Sequence, residues 1–201
     1  MSPLKLLFFG PVSCIVFLLA LWLFSTTFIQ VNIDNYTVFL DKATVSQIES
    51  DYNAYYIQEW KDANCSRFIE GCREKVVEMC WCLSGFNIGN YFIIWSGYPP
   101  INEPTIQTRN SVQCDRWVCG NQVPNIANFH SHPHHSKIYP STDVDQNDIK
   151  ALEKEGYPFG FVGGSNTADD SCRIEHNCNL DGLNIYTKNT NFNLNLNLFK
   201  D

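Results

Sequence analysis

The pattern of apolar and polar positions first separates an apolar run from a helical segment. Residues 6–24 (LLFFGPVSCIVFLLALWLF) contain no charged side chain. From Ala43 to about Ala63 the apolar residues recur close to a helical period, which predicts a helix whose aromatic side chains pack in the core. The recurring positions are Val45, Ile48, Tyr52, Tyr55, Tyr56 and Trp60.

Shorter apolar segments then predict strands. "VVEMCWCL" and "YFIIWSG" indicate the two strands of a hairpin, with Ser84-Gly85 and Gly89-Asn90 as turn residues. "IANFHSH" and "FGFVGG" predict two further strands. A helix should lie between them, from about Val144 to Lys154, because Gly156-Tyr157-Pro158 would end it.

Two segments keep alternatives open. Residues 25–41 alternate loosely and predict either a linker or a first edge strand. The tail "NTNFNLNLNLFKD" alternates Asn with Phe or Leu, which suits a final edge strand or a disordered polar tract. Residues 97–127 are rich in Pro, Asn and Gly and predict an irregular excursion. Strands and helices mixed in this order indicate one α/β or α+β domain.

The apolar run is long enough to cross a hydrocarbon core of about 30 Å. It is longer than the apolar region of a usual signal peptide, and no small-residue cleavage site follows it, so we expect an uncleaved anchor. A cleaved signal is the alternative. Lys5 precedes the run, and Asp34 and Asp41 follow it. This bias predicts a single-pass protein with a cytoplasmic N-terminus and an extracytoplasmic body, which is periplasmic if the host is bacterial.

The cysteines fit an exported domain. Eight of the nine lie outside the apolar run, and an even number in such a domain predicts disulfides. Eight cysteines allow 105 pairings, so spacing gives only hints. The hints are loops closed by Cys114–Cys119 and Cys172–Cys178. The rival is a structural zinc site formed by Cys80, Cys82, Cys114 and Cys119.

The charge excludes one class of partner. A net charge of −7 argues against nucleic acid, because binding phosphates requires a basic face. It equally argues against electrostatic docking on an anionic membrane surface.

The candidate chemistry lies in residues 128–149 (NFHSHPHHSKIYPSTDVDQNDI), which hold four of the five histidines. On a strand, His130 and His132 point to the same face, because side chains alternate. Two imidazoles and one carboxylate would make a three-ligand metal site with a fourth position for water, as in catalytic zinc centres. The alternative is a hydrophilic loop that happens to be rich in histidine.

The segment His-Ser-His-Pro, followed by a loop, Pro-Ser and an aspartate before a helix, resembles the signature of the JAMM (MPN+) zinc metalloproteases. The upstream "EMCWCLSG" is similar to the glutamate motif of that family. The resemblance covers residues 74–165 and implies a JAMM-like mixed β-sheet flanked by helices. We accordingly divide the chain into an anchor (1–30), a linker and helix (31–72), a metalloprotease core (73–165), and a disulfide loop with an Asn-rich tail (166–201).

The resemblance also implies roles for individual residues. Zn²⁺ would be held by His130, His132 and Asp143, because the family spacing falls on Asp143. Glu78 would be the general base, with Glu74 as the fallback. The serine that stabilises the oxyanion in the family is replaced here by Pro140, so Ser141 is the candidate for that role. Of the later aspartates, Asp145 is a second possible ligand, and Asp148 is expected to be a solvated helix residue.

The function that follows is a membrane-anchored zinc-dependent peptidase or isopeptidase that acts on a peptide or protein substrate. In this view residues 6–24 contact the lipid bilayer. A non-catalytic scaffold with the same fold and a toxin-type effector domain are the alternatives.

Overall fold

A computed structural model of the chain describes residues 3–62, 78–98, 107–108, 111–112, 119, 124–132, 144–164, 180 and 182–199. Three α-helices and ten strands are formed by these residues. The helices are α1 (Pro3–Thr27), α2 (Lys42–Asp62) and α3 (Gln146–Glu155). The strands are β1 (Phe28–Ile33), β2 (Tyr36–Asp41), β3 (Cys80–Ile88), β4 (Tyr91–Tyr98), β5 (Gln107–Thr108), β6 (Ser111–Val112), β7 (Asn125–Ser131), β8 (Gly160–Gly164), β9 (Gly182–Tyr186) and β10 (Asn191–Leu194). A short 3-10 helix, Leu196–Phe199, follows β10.

One mixed sheet dominates the described part of the chain. Its strand order is β1-β2-β4-β3-β7-β8-β9-β10, while β5 and β6 pair separately. The pairs β2–β4 and β7–β8 are parallel and the other pairs are antiparallel. The predicted α+β class with a mixed sheet and helices is therefore confirmed.

The sheet separates two layers of helix, because successive side chains of a strand point to opposite faces. On its back face, Trp81, Leu83 and Phe129 are buried with side chains of α2. The α2 residues in this core are Val45, Ile48, Tyr52 and Tyr56, as the helical period predicts. On its front face, a smaller cluster joins Leu152 of α3 to Tyr157, Val162 and Tyr186.

The two end hairpins of the sheet touch each other. Asp34, in the turn between β1 and β2, has a φ of 49°. Its carboxylate accepts hydrogen bonds from the hydroxyls of Thr187 and Thr190 and, at 3.4 Å, from the amide of Asn189. These partners lie between β9 and β10, at the far end of the strand order. The sheet is therefore strongly curved, and this carboxylate joins its ends.

The open alternatives for the sheet edges resolve to strands. Residues 28–33 and 36–41 form a hairpin with β1 at the edge, and residues 191–194 form the opposite edge strand. The predicted turn at Ser84-Gly85 is wrong, because both residues lie inside β3, where the register shifts. A side chain at Gly85 would collide with the carbonyl oxygen of Ile93, so the strand can continue only without one.

The disulfide found among the described residues differs from the pairing expected from cysteine spacing. Cys82 forms a disulfide with Cys119, so the suggested Cys114–Cys119 loop is wrong. The same bond removes two ligands from the alternative zinc site. Among the described residues Cys14 and Cys80 are free, and Cys80 is buried. The suggested partner cysteines 172 and 178 lie outside the described residues.

The predicted anchor coincides with α1. Within the described part of the chain, no helix meets the length and apolarity that a membrane span requires.

Candidate metal centre

The two histidines lie at the end of β7 on the front face of the sheet. His130 pairs with Cys80 of β3 and with Val162 of β8, and the backbone amide of His132 donates to the carbonyl of Gly163 at 2.9 Å. The two rings are 5.1 Å apart between centroids. The alternation that predicts both imidazoles on one face is therefore confirmed, with the side chains 8% and 15% exposed.

The carboxylate that meets them belongs to Asp148. Its Oδ1 lies 3.1 Å from Nε2 of His130, and its Oδ2 lies 3.9 Å from Nε2 of His132. The three residues offer ligand atoms that all lie within 4.8 Å of one another, so they could hold a metal ion. The expectation that Asp148 is a solvated helix residue is wrong, because its side chain is only 14% exposed.

A capping box explains why Asp148 faces the histidines. Asp145 is the N-cap of α3, and its Oδ1 accepts from the backbone amides of Asn147 (2.6 Å) and Asp148 (3.0 Å). In return Oδ2 of Asp148 accepts from the backbone amide of Asp145 at 2.8 Å. The reciprocal bonds fix the first helical turn and leave Oδ1 of Asp148 directed at His130. Asp145, the second possible ligand, is thus occupied with capping.

Of the other predicted site residues, the structure describes Glu78 but not Asp143 or Ser141. Glu78 is buried, with 5% of its surface exposed. The antiparallel pairing of Cys80 with His130, continued by two residues, places Glu78 opposite His132 on the same face. Asp143 and Ser141 lie outside the described residues, as does Pro140.

The carboxylates of the cluster shift the pKa of His130, and His130 shifts the pKa of Asp148. Burial is the largest influence on His130 and opposes protonation, but the carboxylates of Asp148 and Glu78 outweigh it, so the pKa of His130 is raised. Burial is also the largest influence on Asp148, and its charge interaction with His130 overcomes it, so the pKa of Asp148 is lowered. The surroundings thus favour positive charge at this point.

The donor set suits a metal ion. Nε2 of His130 is buried and makes no hydrogen bond among the described residues, although Oδ1 of Asp148 is close to it. In a tetrahedral zinc site the ligand atoms are about 3.3 Å apart, given metal–ligand bonds of about 2.0–2.1 Å. The observed 3.1 and 3.9 Å bracket that separation. Two imidazoles and one carboxylate leave a fourth position for water or substrate.

Tyr186 and Gly160 complete the wall behind His130, and the sequence pattern did not identify them. The ring of Tyr186 meets that of His130 edge to face, with 6.0 Å between centroids. A Cβ at Gly160 would lie 2.8 Å from the Cζ and hydroxyl of Tyr186. The glycine is therefore what allows this ring to lie across β8 and reach the histidine.

No family model matches the chain, and no curated protein matches it. Membership of the JAMM family stays a prediction based on the motif.

Proposed function

We propose that the chain is a zinc-dependent peptidase or isopeptidase whose metal is held by His130, His132 and Asp148. The single observation that carries the proposal is the convergence of Nε2 of His130, Nε2 of His132 and the Asp148 carboxylate, with the buried Glu78 two residues before β3. The imidazole ligands favour zinc over magnesium or calcium, which prefer sites made entirely of oxygen. The motif resemblance supplies the reaction class.

A zinc ion in this position would acidify a water molecule toward neutral pH and polarise the scissile carbonyl. Glu78 is the residue of the chain that we assign to proton transfer. Its carboxylate takes the proton as water adds to the carbonyl carbon, and it passes that proton to the leaving amine as the C–N bond breaks. Glu78 lies opposite His132 and not among the three ligands, which suits this role.

Ser141 remains the candidate oxyanion donor from the sequence. One such donor is typically worth a factor of about 10²–10³ in rate. We therefore expect Ser141→Ala to slow hydrolysis by at most that factor without affecting zinc.

The test of catalysis is Glu78→Gln in the zinc-loaded chain. The unaltered chain should cleave members of a mixed peptide library followed by mass spectrometry, and Glu78→Gln should retain zinc while losing cleavage. Glu74→Gln is the matched control and should cleave normally. A chain that binds zinc and cleaves neither peptides nor isopeptide-linked proteins would favour the non-catalytic scaffold.

We also propose that α1 attaches the protein to a lipid bilayer, with the body on the extracytoplasmic side. Side chains around this helix are exposed by 53–63%: Ile15, Val16, Phe17, Leu18, Leu19, Trp22 and Leu23. No helix among the described residues is long and apolar enough to span a membrane, and the described residues do not include the side chains of the first turns of α1. Carbonate extraction of membranes from expressing cells tests this. The chain should stay in the pellet, and release into the supernatant would contradict attachment.

A further inference from the structure

Ser131, the residue between the two histidines, forms hydrogen-bond contacts with Tyr56 and Met79. Its side chain points to the back face of the sheet and is fully buried. Its Oγ lies 2.6 Å from the hydroxyl of Tyr56 on α2. The same oxygen is 3.0 Å from the backbone amide of Met79 and 3.2 Å from the Met79 carbonyl. One hydroxyl group therefore connects α2, β7 and the residue that follows Glu78.

The number of protons on the Ser131 hydroxyl determines which group donates in each of its three contacts. A serine hydroxyl has one proton to donate and can accept two. The amide of Met79 can only donate to Oγ, and the carbonyl of Met79 can only accept from it. For all three contacts to be hydrogen bonds, Tyr56 must donate. Burial, the largest influence, raises the pKa of Tyr56 well above 10, so its hydroxyl keeps the proton that this arrangement needs.

The network extends strand pairing beyond the regular end of β3. The backbone amide of Ser131 donates to the carbonyl of Met79 at 2.8 Å, and its side chain accepts from the amide of Met79. Met79 is thus bound in both directions, one residue before β3 begins at Cys80. Glu78 directly precedes Met79, so the network restricts the backbone of Glu78 where it lies opposite His132.

We propose that Tyr56 is a positioning residue of the metal centre, whose hydroxyl, through Ser131, fixes His130, His132 and Glu78 in one arrangement. This inference rests on the proposed function. The Tyr56 hydroxyl contacts Ser131 on the face of the sheet opposite the metal ligands, so Tyr56 acts from that face. Loss of such supporting hydrogen bonds typically costs a factor of about 10–100 in metal affinity or activity.

The test measures zinc affinity of the full chain by competition with a chromogenic chelator, and the visible spectrum of the Co²⁺-substituted protein. Tyr56→Phe removes one hydroxyl and keeps the ring in the core. Tyr52→Phe is the matched control, because Tyr52 lies one helical turn away and is equally buried, whereas the hydroxyl that contacts Ser131 belongs to Tyr56. Ser131→Ala and Ser131→Thr form a second pair, of which only threonine keeps a hydroxyl.

We expect Tyr56→Phe and Ser131→Ala to weaken zinc binding about tenfold or more and to alter the Co²⁺ bands. Tyr52→Phe should match the unaltered chain, and Ser131→Thr should recover most of the affinity. All measurements are made where circular dichroism shows folded protein, so that lower stability alone does not change the affinity. If Tyr56→Phe does not fold, the Ser131 pair decides.

Two failures are distinguishable. An unaltered chain that binds no zinc contradicts the proposed function and this inference with it. An unaltered chain that binds zinc, with unchanged affinity and Co²⁺ spectrum in Tyr56→Phe and Ser131→Ala, overturns the positioning role alone. In that case Tyr56 contributes only to packing.

Discussion

At the scale of single residues, the site depends on which aspartate reaches the histidines. The family spacing indicates Asp143, whereas the described geometry brings Asp148 to 3.1 Å from His130. Spacing in sequence could not decide this, because it does not show which carboxylate the fold brings to the histidines. The sequence does contain a signal for Asp148, because Asp145 followed three residues later by Asp148 is a capping-box pattern. That box fixes the first turn of α3, where Asp148 faces His130.

The contact of Gly160 with Tyr186 gives a prediction at this scale. Gly160→Ala places a methyl group 2.8 Å from Cζ and from the hydroxyl of Tyr186, which is too close, so the ring must move. Overpacking of this kind costs about 1–3 kcal/mol in the free energy of unfolding, which urea denaturation measures. With Tyr186→Ala already present, the same substitution should cost much less. Equal costs in both backgrounds would show that the ring does not limit this position.

At the scale of elements, the sequence pattern predicted α2, α3 and the strands β3, β4, β7 and β8. It missed β9, and it missed the β5–β6 pair, which lies within the segment 97–127 that was predicted to be irregular. Val45, Ile48, Tyr52 and Tyr56 of the predicted stripe are buried as expected, and Tyr55 is half-buried. His130 and His132 share a face because β7 is a regular strand. The pattern failed at Gly85, because glycine within a strand resembles a turn residue until its neighbours are known. It could not find the Cys82–Cys119 bond either, since spacing says little about which cysteines meet in space.

The cap of α3 carries the prediction for this scale. Asp145→Ala removes the side chain that accepts from Asn147 and Asp148, and it should lower the free energy of unfolding by about 1 kcal/mol. Asp145→Ser retains a capping oxygen and should recover most of the loss. Both variants should still bind zinc. If Asp145→Ser, which keeps the capping oxygen, abolishes zinc binding, Asp145 is a ligand and the capping account is wrong.

At the scale of the whole molecule, the sheet curves until its two end hairpins meet, so that a side-chain contact closes it. Asp34 joins the two end hairpins, a contact across 153 positions of sequence to Thr187. Local patterns carry no information about such a contact, so closure could not be predicted from the sequence. The motif resemblance implied a mixed sheet flanked by helices, and the described residues form a mixed sheet with α2 and α3 packed on its two faces.

The closure contact predicts a dependence of stability on pH. Hydrogen bonds from Thr187 and Thr190 lower the pKa of Asp34 below 3.8. A carboxyl group with a lowered pKa in the folded state stabilises the fold above its unfolded pKa, and this stabilisation is lost as the pH falls through the folded value. The urea midpoint of the unaltered chain should therefore exceed that of Asp34→Asn at neutral pH, and the difference should shrink below 3.8. A difference that is constant with pH would contradict this role.

The central claim is that Asp148 completes a zinc site with His130 and His132. The most direct test is the zinc content of the purified full chain, measured by mass spectrometry of the metal beside Asp148→Asn and Asp143→Asn. We predict about one zinc per chain. It should be lost in Asp148→Asn and kept in Asp143→Asn. Retention in Asp148→Asn with loss in Asp143→Asn would contradict the ligand assignment, and a zinc-free unaltered chain would contradict the metal centre itself.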